Sequence, residues 1–89
     1  MRVVPLGELL MNYQTKFLDF EYCGKSASGL TERWTVKSKD GATLAWIEWY
    51  APWRRYVAHP VNGTLFDAKC LQDIVDFLRA RMAERKNSA

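Results

Sequence analysis

The sequence predicts an α+β domain: an antiparallel meander of three to four strands packed on one C-terminal helix. Three observations carry that expectation. Lys16–Cys23 alternates, with Leu18, Phe20 and Tyr22 on one face and Asp19 and Glu21 on the other, as a half-buried strand does. Asp40-Gly41 stands between two β-branched and aromatic runs, and such a pair favours a hairpin because a type I′ turn needs positive φ at both central residues. Beyond Asp67, the residues Leu71, Ile74, Val75, Leu78 and Met82 recur at helical spacing and form one apolar stripe.

Taken in order, residues 1–14 are ambiguous, with a helical turn or two expected around Gly7–Tyr13. Residues 16–59 form the sheet, its strands being Lys16–Cys23, Leu30–Ser38, Thr43–Tyr50 and Trp53–His59. Gly24–Gly29 is a loop by composition. A two-residue Asp40-Gly41 turn sets Lys39 against Ala42, Lys37 against Leu44, Thr35 against Trp46 and Arg33 against Glu48. The opposite face pairs Val36 with Ala45 and Trp34 with Ile47, carries Trp49, and is the core face. The next connection runs through Ala51-Pro52. A loop of either two or four residues there points Tyr56 into the core beside Ile47 and Arg55 outward beside Glu48, whereas a three-residue loop reverses that assignment.

The helix spans 67–85. Asp67 caps its first turn, and Phe66 and Leu71 stand at hydrophobic-staple spacing. Lys69 with Asp73, and Asp76 with Arg79, decorate the solvent side. Arg79, Arg81, Arg85 and Lys86 complement the helix dipole, and fraying is expected over Arg85–Ala89.

Composition bounds the function. Eighty-nine residues make one domain, 1–89, with 48% hydrophobic and 26% charged residues, which excludes disorder. No apolar run approaches the roughly 20 residues of a membrane span. Pro5, Gly7 and Glu8 interrupt the N-terminal run, so it is a poor secretory signal, and a cytoplasmic protein is expected. A net charge of +3 mildly favours an anionic partner. Cys23 and Cys70 have no metal-ligand spacing and read as two reduced, largely buried thiols. His59 has no nucleophile or carboxylate at recognisable spacing and reads as structural. Asp73 and Asp76 lack a second ligand pair. With no Gly-rich phosphate loop, HExxH or CxxC, neither an enzyme nor a cofactor is expected, and no metal site.

The candidate site is the segment Trp46–Tyr56, WIEWYAPWRRY, which holds three of the four tryptophans, two tyrosines and two adjacent arginines. On the predicted outer face Arg33, Glu48 and Arg55 lie in one row across three strands. Trp46, Tyr50, Trp53 and Val57 stand around it, and Arg54 sits near the hairpin tip. Exposed aromatic area of that extent marks a contact surface. Tryptophan, tyrosine and arginine are the residues enriched in protein–protein hot spots, and aromatics interleaved with arginine also stack on bases. Three occupants of the face stay open: residues 1–14 folded over it, a protein partner or second copy, and nucleic acid.

Trp34–Leu78 resembles a family of small bacteriophage and prophage proteins of unassigned activity. The likeness rests on Trp49, Tyr50, Pro52, Trp53, Arg54 and Tyr56, a WYxPWRxY segment, followed by Thr64, Phe66, Cys70, Leu71, Asp73 and Ile74. Val57-Ala58-His59 replaces a more aromatic strand end. The resemblance implies a small accessory protein that binds a host protein or nucleoprotein complex, including as an anti-CRISPR-like inhibitor.

Overall fold

The computed structural model describes residues 12–87. The expected helical turns around Gly7–Tyr13, and any folding of the N-terminal segment over the sheet, lie almost wholly outside the described residues. Five strands run in order: β1 Tyr13–Gln14, β2 Leu18–Lys25, β3 Glu32–Ser38, β4 Thr43–Tyr50 and β5 Arg55–Pro60. One helix, α1, follows over Ala68–Asn87. The strands pair antiparallel in the order β1-β2-β3-β4-β5, so the fold is the expected meander with one further, two-residue strand at its edge. Thr15 makes that edge hairpin. Its Oγ1 accepts from the Leu18 amide at 3.0 Å and its own amide donates to the Leu18 carbonyl at 2.8 Å.

The β3–β4 register holds over its central pairs, Trp34 with Ile47, Thr35 with Trp46 and Val36 with Ala45. It does so through two departures that cancel. The turn has three residues, Lys39-Asp40-Gly41, closed by Gly41 N–H to the Ser38 carbonyl at 3.0 Å, with Gly41 at φ +94°. Lys37 therefore faces Thr43 rather than Leu44, and a bulge at Leu44 restores the original phase.

At the other end of β4 the loop has four residues. Ala51–Trp53 makes a 3₁₀ turn with Pro52 in its first positions, and Arg54 follows in the left-handed region at φ 53°. This wider loop accommodates a trans proline. The predicted parity is kept, but β5 slides along β4. Tyr56 faces Trp49, Ile47 faces Ala58, and Arg55 faces Tyr50.

The core face carries Leu18, Phe20, Trp34, Val36, Ala45, Ile47 and Tyr56, covered by Ile74 and Phe77 of α1. Phe77 is the hub: it stacks on Phe20 at 4.3 Å and meets Trp34 edge-on at 5.2 Å. Asp67 caps α1 as expected, its Oδ1 accepting the Cys70 amide at 2.8 Å. That bond holds the Asp67 carboxyl below its ordinary pKa.

The buried stripe of the helix is turned from the predicted one. Phe77 goes inward, while Leu71 and Val75 are exposed, so Leu71 does not serve the core. The basic end is likewise not a solvated terminus. Arg81 is buried, with its guanidinium 4.8 Å from the Phe77 ring centre and Glu84 at 2.7 Å. Arg85 lies over Trp49 at 4.1 Å and donates to the Leu30 carbonyl at 3.2 Å. These two side chains close the aromatic core at its open end.

Glu32, at the start of β3, is also buried, next to the buried Thr31. It accepts from Lys25 at 2.9 Å and from the Tyr22 hydroxyl, while its amide donates to the Tyr56 hydroxyl at 3.2 Å. Burial first, then the Glu32 carboxylate, push the Tyr22 hydroxyl up to about 12.

Candidate functional site

Alternation sends every second residue of the sheet away from α1. The outward set comprises Asp19, Glu21 and Cys23 from β2, Arg33, Thr35 and Lys37 from β3, Trp46, Glu48 and Tyr50 from β4, and Arg55, Val57 and His59 from β5. No described element packs on this face.

The face divides in two. Its β2–β3 half is a self-neutralised ladder, Lys37 to Glu21 at 2.9 Å and Lys39 to Asp19 at 2.6 Å. The hydrogen bond from Lys37 to the Glu21 carboxylate holds that ammonium above the ordinary lysine pKa. Exposed cross-strand pairs of this kind set register and solubility and contribute little energy.

The β4–β5 half is aromatic. Trp46 is 44% exposed, Tyr50 40% and Trp53 64%. Tyr50 and Trp53 meet edge-to-face at 5.0 Å, and Arg55 Nε donates to the Trp53 carbonyl at 3.3 Å, which steadies the hairpin tip. Trp46 and Tyr50 lie about 13 Å apart along β4, at a rise of about 3.3 Å per residue. Glu48 stands between them on the same face, so the Tyr50–Trp53 pair at the hairpin tip and the Trp46–His59 stack are two separate aromatic groups.

The expected Arg33–Glu48–Arg55 row does not form. The four-residue loop moves β5 by two places, so Val57 rather than Arg55 stands opposite Glu48. Glu48 turns instead to His59, whose Nε2 lies 2.9 Å from its Oε1. His59, expected to lack a carboxylate partner, therefore has one, and it stacks on Trp46 with ring centroids 5.5 Å apart and planes 16° from parallel. Across a sheet such pairs depend on register, and the four-residue loop sets a register other than the expected one that put Arg55 beside Glu48.

Arg33 and Arg55 of that row, and Arg54 at the hairpin tip, have no carboxylate partner among the described residues. A shallow hollow of about 290 Å³ lies between Trp46, Glu48, Arg33, Thr35 and Cys23. Cys23 is exposed there, not buried, with its Sγ 2.9 Å from Thr35 Oγ1. The alternation of β2 already gave it the parity of Glu21, and the bulge between Tyr22 and Gly24 leaves it on that side. Both cysteines are free thiols.

Among the described residues no group of three or more His, Cys, Asp or Glu is placed to hold a metal ion. No described helix is long and apolar enough to cross a membrane. Among the described residues, the face offers exposed aromatic rings, guanidinium groups with no carboxylate partner, and a histidine close to a carboxylate.

No family model matches the chain. No solved structure matches it either. Over 52 residues it is 40% identical to an uncharacterized 9.3 kDa protein of Acholeplasma phage L2, a match that covers 57% of this chain and 67% of that protein. With two thirds of the phage protein spanned at this identity, the chain belongs to the family of that small phage protein.

Proposed function

We propose that this is a non-enzymatic phage accessory protein that acts by binding a macromolecule of the bacterial host in the host cytoplasm. Its partner is a protein or nucleoprotein complex, and its action is occlusion, in the manner of an anti-CRISPR inhibitor. The observation that carries the reading is the exposure of Trp46, Tyr50 and Trp53, with Arg33 lining the hollow beside Trp46 and Arg55 bonded to the Trp53 carbonyl. A tryptophan left in water on a rigid sheet is a preformed anchor, since little side-chain entropy is lost when a partner covers it.

Direct nucleic-acid binding is the second reading, favoured by three arginines without a carboxylate partner among the described residues and by rings that can stack on bases. Against it, the lysines of the same face are already neutralised by Glu21 and Asp19.

Salt separates the two readings once a tagged chain has captured its partner from host extract. Three arginines on phosphates give a logarithmic slope of about −2.7, roughly fortyfold weaker binding for a fourfold rise in salt. An aromatic protein interface changes only severalfold over that range. A doubled mass in the absence of any partner, abolished by Trp46→Lys, would show instead that the face joins two copies of the chain.

A further inference from the structure

Beside the Ile74–Phe77 stripe, α1 carries a second apolar line whose Leu78 and Met82 border the core. Leu71, Val75, Leu78 and Met82 follow at steps of four, three and four residues, the spacing by which one helix packs on another. Because Ile74 and Phe77 take the sheet, Leu71 and Val75 are left 49% and 38% exposed. Toward its C-terminal end the line enters a cleft of about 410 Å³ between α1 and the β4–β5 hairpin, with Tyr56, Val75, Leu78 and Met82 as its apolar wall. Arg54 and Arg55 from the hairpin and Arg79 from α1 line the same cleft. None of these three has a carboxylate within 4.0 Å among the described residues, the expected Asp76–Arg79 pair included. Asp76 is engaged by Gln72, whose Nε2 donates to it at 2.8 Å.

An apolar wall under three uncompensated guanidinium groups selects two things at once. The wall takes a large aliphatic or aromatic side chain, and the planar forks of the arginines take carboxylates. A second copy meeting this one cleft to cleft about a two-fold axis would bring three more arginines to the same rim, where like charges repel.

We propose that this cleft is a docking site for an acidic amphipathic segment of a partner polypeptide. One large apolar side chain of the segment enters against Tyr56, Val75 and Met82, and carboxylates on either side of it pair with Arg54, Arg55 and Arg79. The site lies on the helix side of the hairpin and does not depend on Trp46 or Trp53.

The test is a chemical-shift titration of the full chain with an acetylated, amidated peptide, Glu-Glu-Leu-Phe-Glu-Glu, and with its counterpart in which lysine replaces each glutamate. The proposal predicts shifts centred on Arg54–Tyr56 and Val75–Met82 with the acidic peptide only. It also predicts at least tenfold weaker binding for Arg79→Glu and for Val75→Lys, both on exposed positions whose change leaves the circular dichroism spectrum intact. Equal shifts with the basic peptide, shifts centred on Thr35 and Trp46, or none at millimolar peptide would overturn it. So would shifts of the cleft residues with protein concentration alone, which would identify the occupant as a second copy.

Discussion

His59 stacks on Trp46 across the β4–β5 pair, and its Nε2 approaches Glu48 on the same face at 2.9 Å. The histidine thus has a neighbour on two sides, and its ring backs one face of the indole. The Trp46 ring is fixed before any partner arrives, which lowers the entropy lost on binding.

Trp46 and Trp34 should therefore separate binding from folding. Trp34 is buried among Tyr22, Tyr56 and Phe77, so Trp34→Ala is expected to cost about 3–5 kcal/mol and threaten the fold. Trp46→Ala, on the open face, should cost less than about 1 kcal/mol. Urea unfolding of both variants checks the contrast.

Arg85 over Trp49 should matter to stability although both carry polar groups near solvent. Removing the guanidinium by Arg85→Met is expected to cost about 1 kcal/mol, and the loss should shrink when Trp49 is already Leu. A double-mutant cycle by chemical denaturation reads the coupling. Full additivity would show that the stacking contributes nothing.

Arg54 occupies the left-handed region that glycine enters freely and a branched or long side chain does not. Arg54→Gly should leave the hairpin at least as stable as before, by up to about 1 kcal/mol at 25 °C. The same variant should weaken partner binding. A stability loss would mean that the arginine side chain, not the loop geometry, secures the tip.

Acid should act on the fold through Asp67. Its folded pKa is depressed by the hydrogen bond from the Cys70 amide, so the cap stabilises fully above the ordinary carboxylate pKa. That contribution is lost as pH falls through the lower, folded value. Asp67→Asn keeps an acceptor for the helix but cannot titrate. Thermal melts of the variant should therefore fall less steeply with acid than those of the wild type.

Much of this architecture was legible because alternation and turn chemistry are local. Leu18, Phe20, Trp34, Val36, Ala45 and Ile47 are inside as their parity requires. The β3–β4 phase survived a wrong turn length only because the Leu44 bulge compensates it, and a bulge leaves no trace in a periodicity. The Arg33–Glu48–Arg55 row failed for a related reason. Parity says which face a residue takes but not how far the strand has slid, and ion pairs depend on the slide. The helix stripe turned because Phe77 fills the space over Phe20 and Trp34 better than Leu71 or Val75 fills it. Arg81 and Arg85, read as a polar terminus, cover aromatic rings brought near by the fold from distant parts of the chain. Tyr13 was missed as a strand because two residues carry no period.

The central claim is that Trp46 and Trp53 are anchors for a host partner. The most direct measurement is the affinity of the partner captured from host extract for the wild type and for Trp46→Ala/Trp53→Ala, with folding of both checked by circular dichroism. The account predicts at least about a thirtyfold loss, corresponding to about 2 kcal/mol, at unchanged stability. Equal affinity for the folded double variant would contradict it.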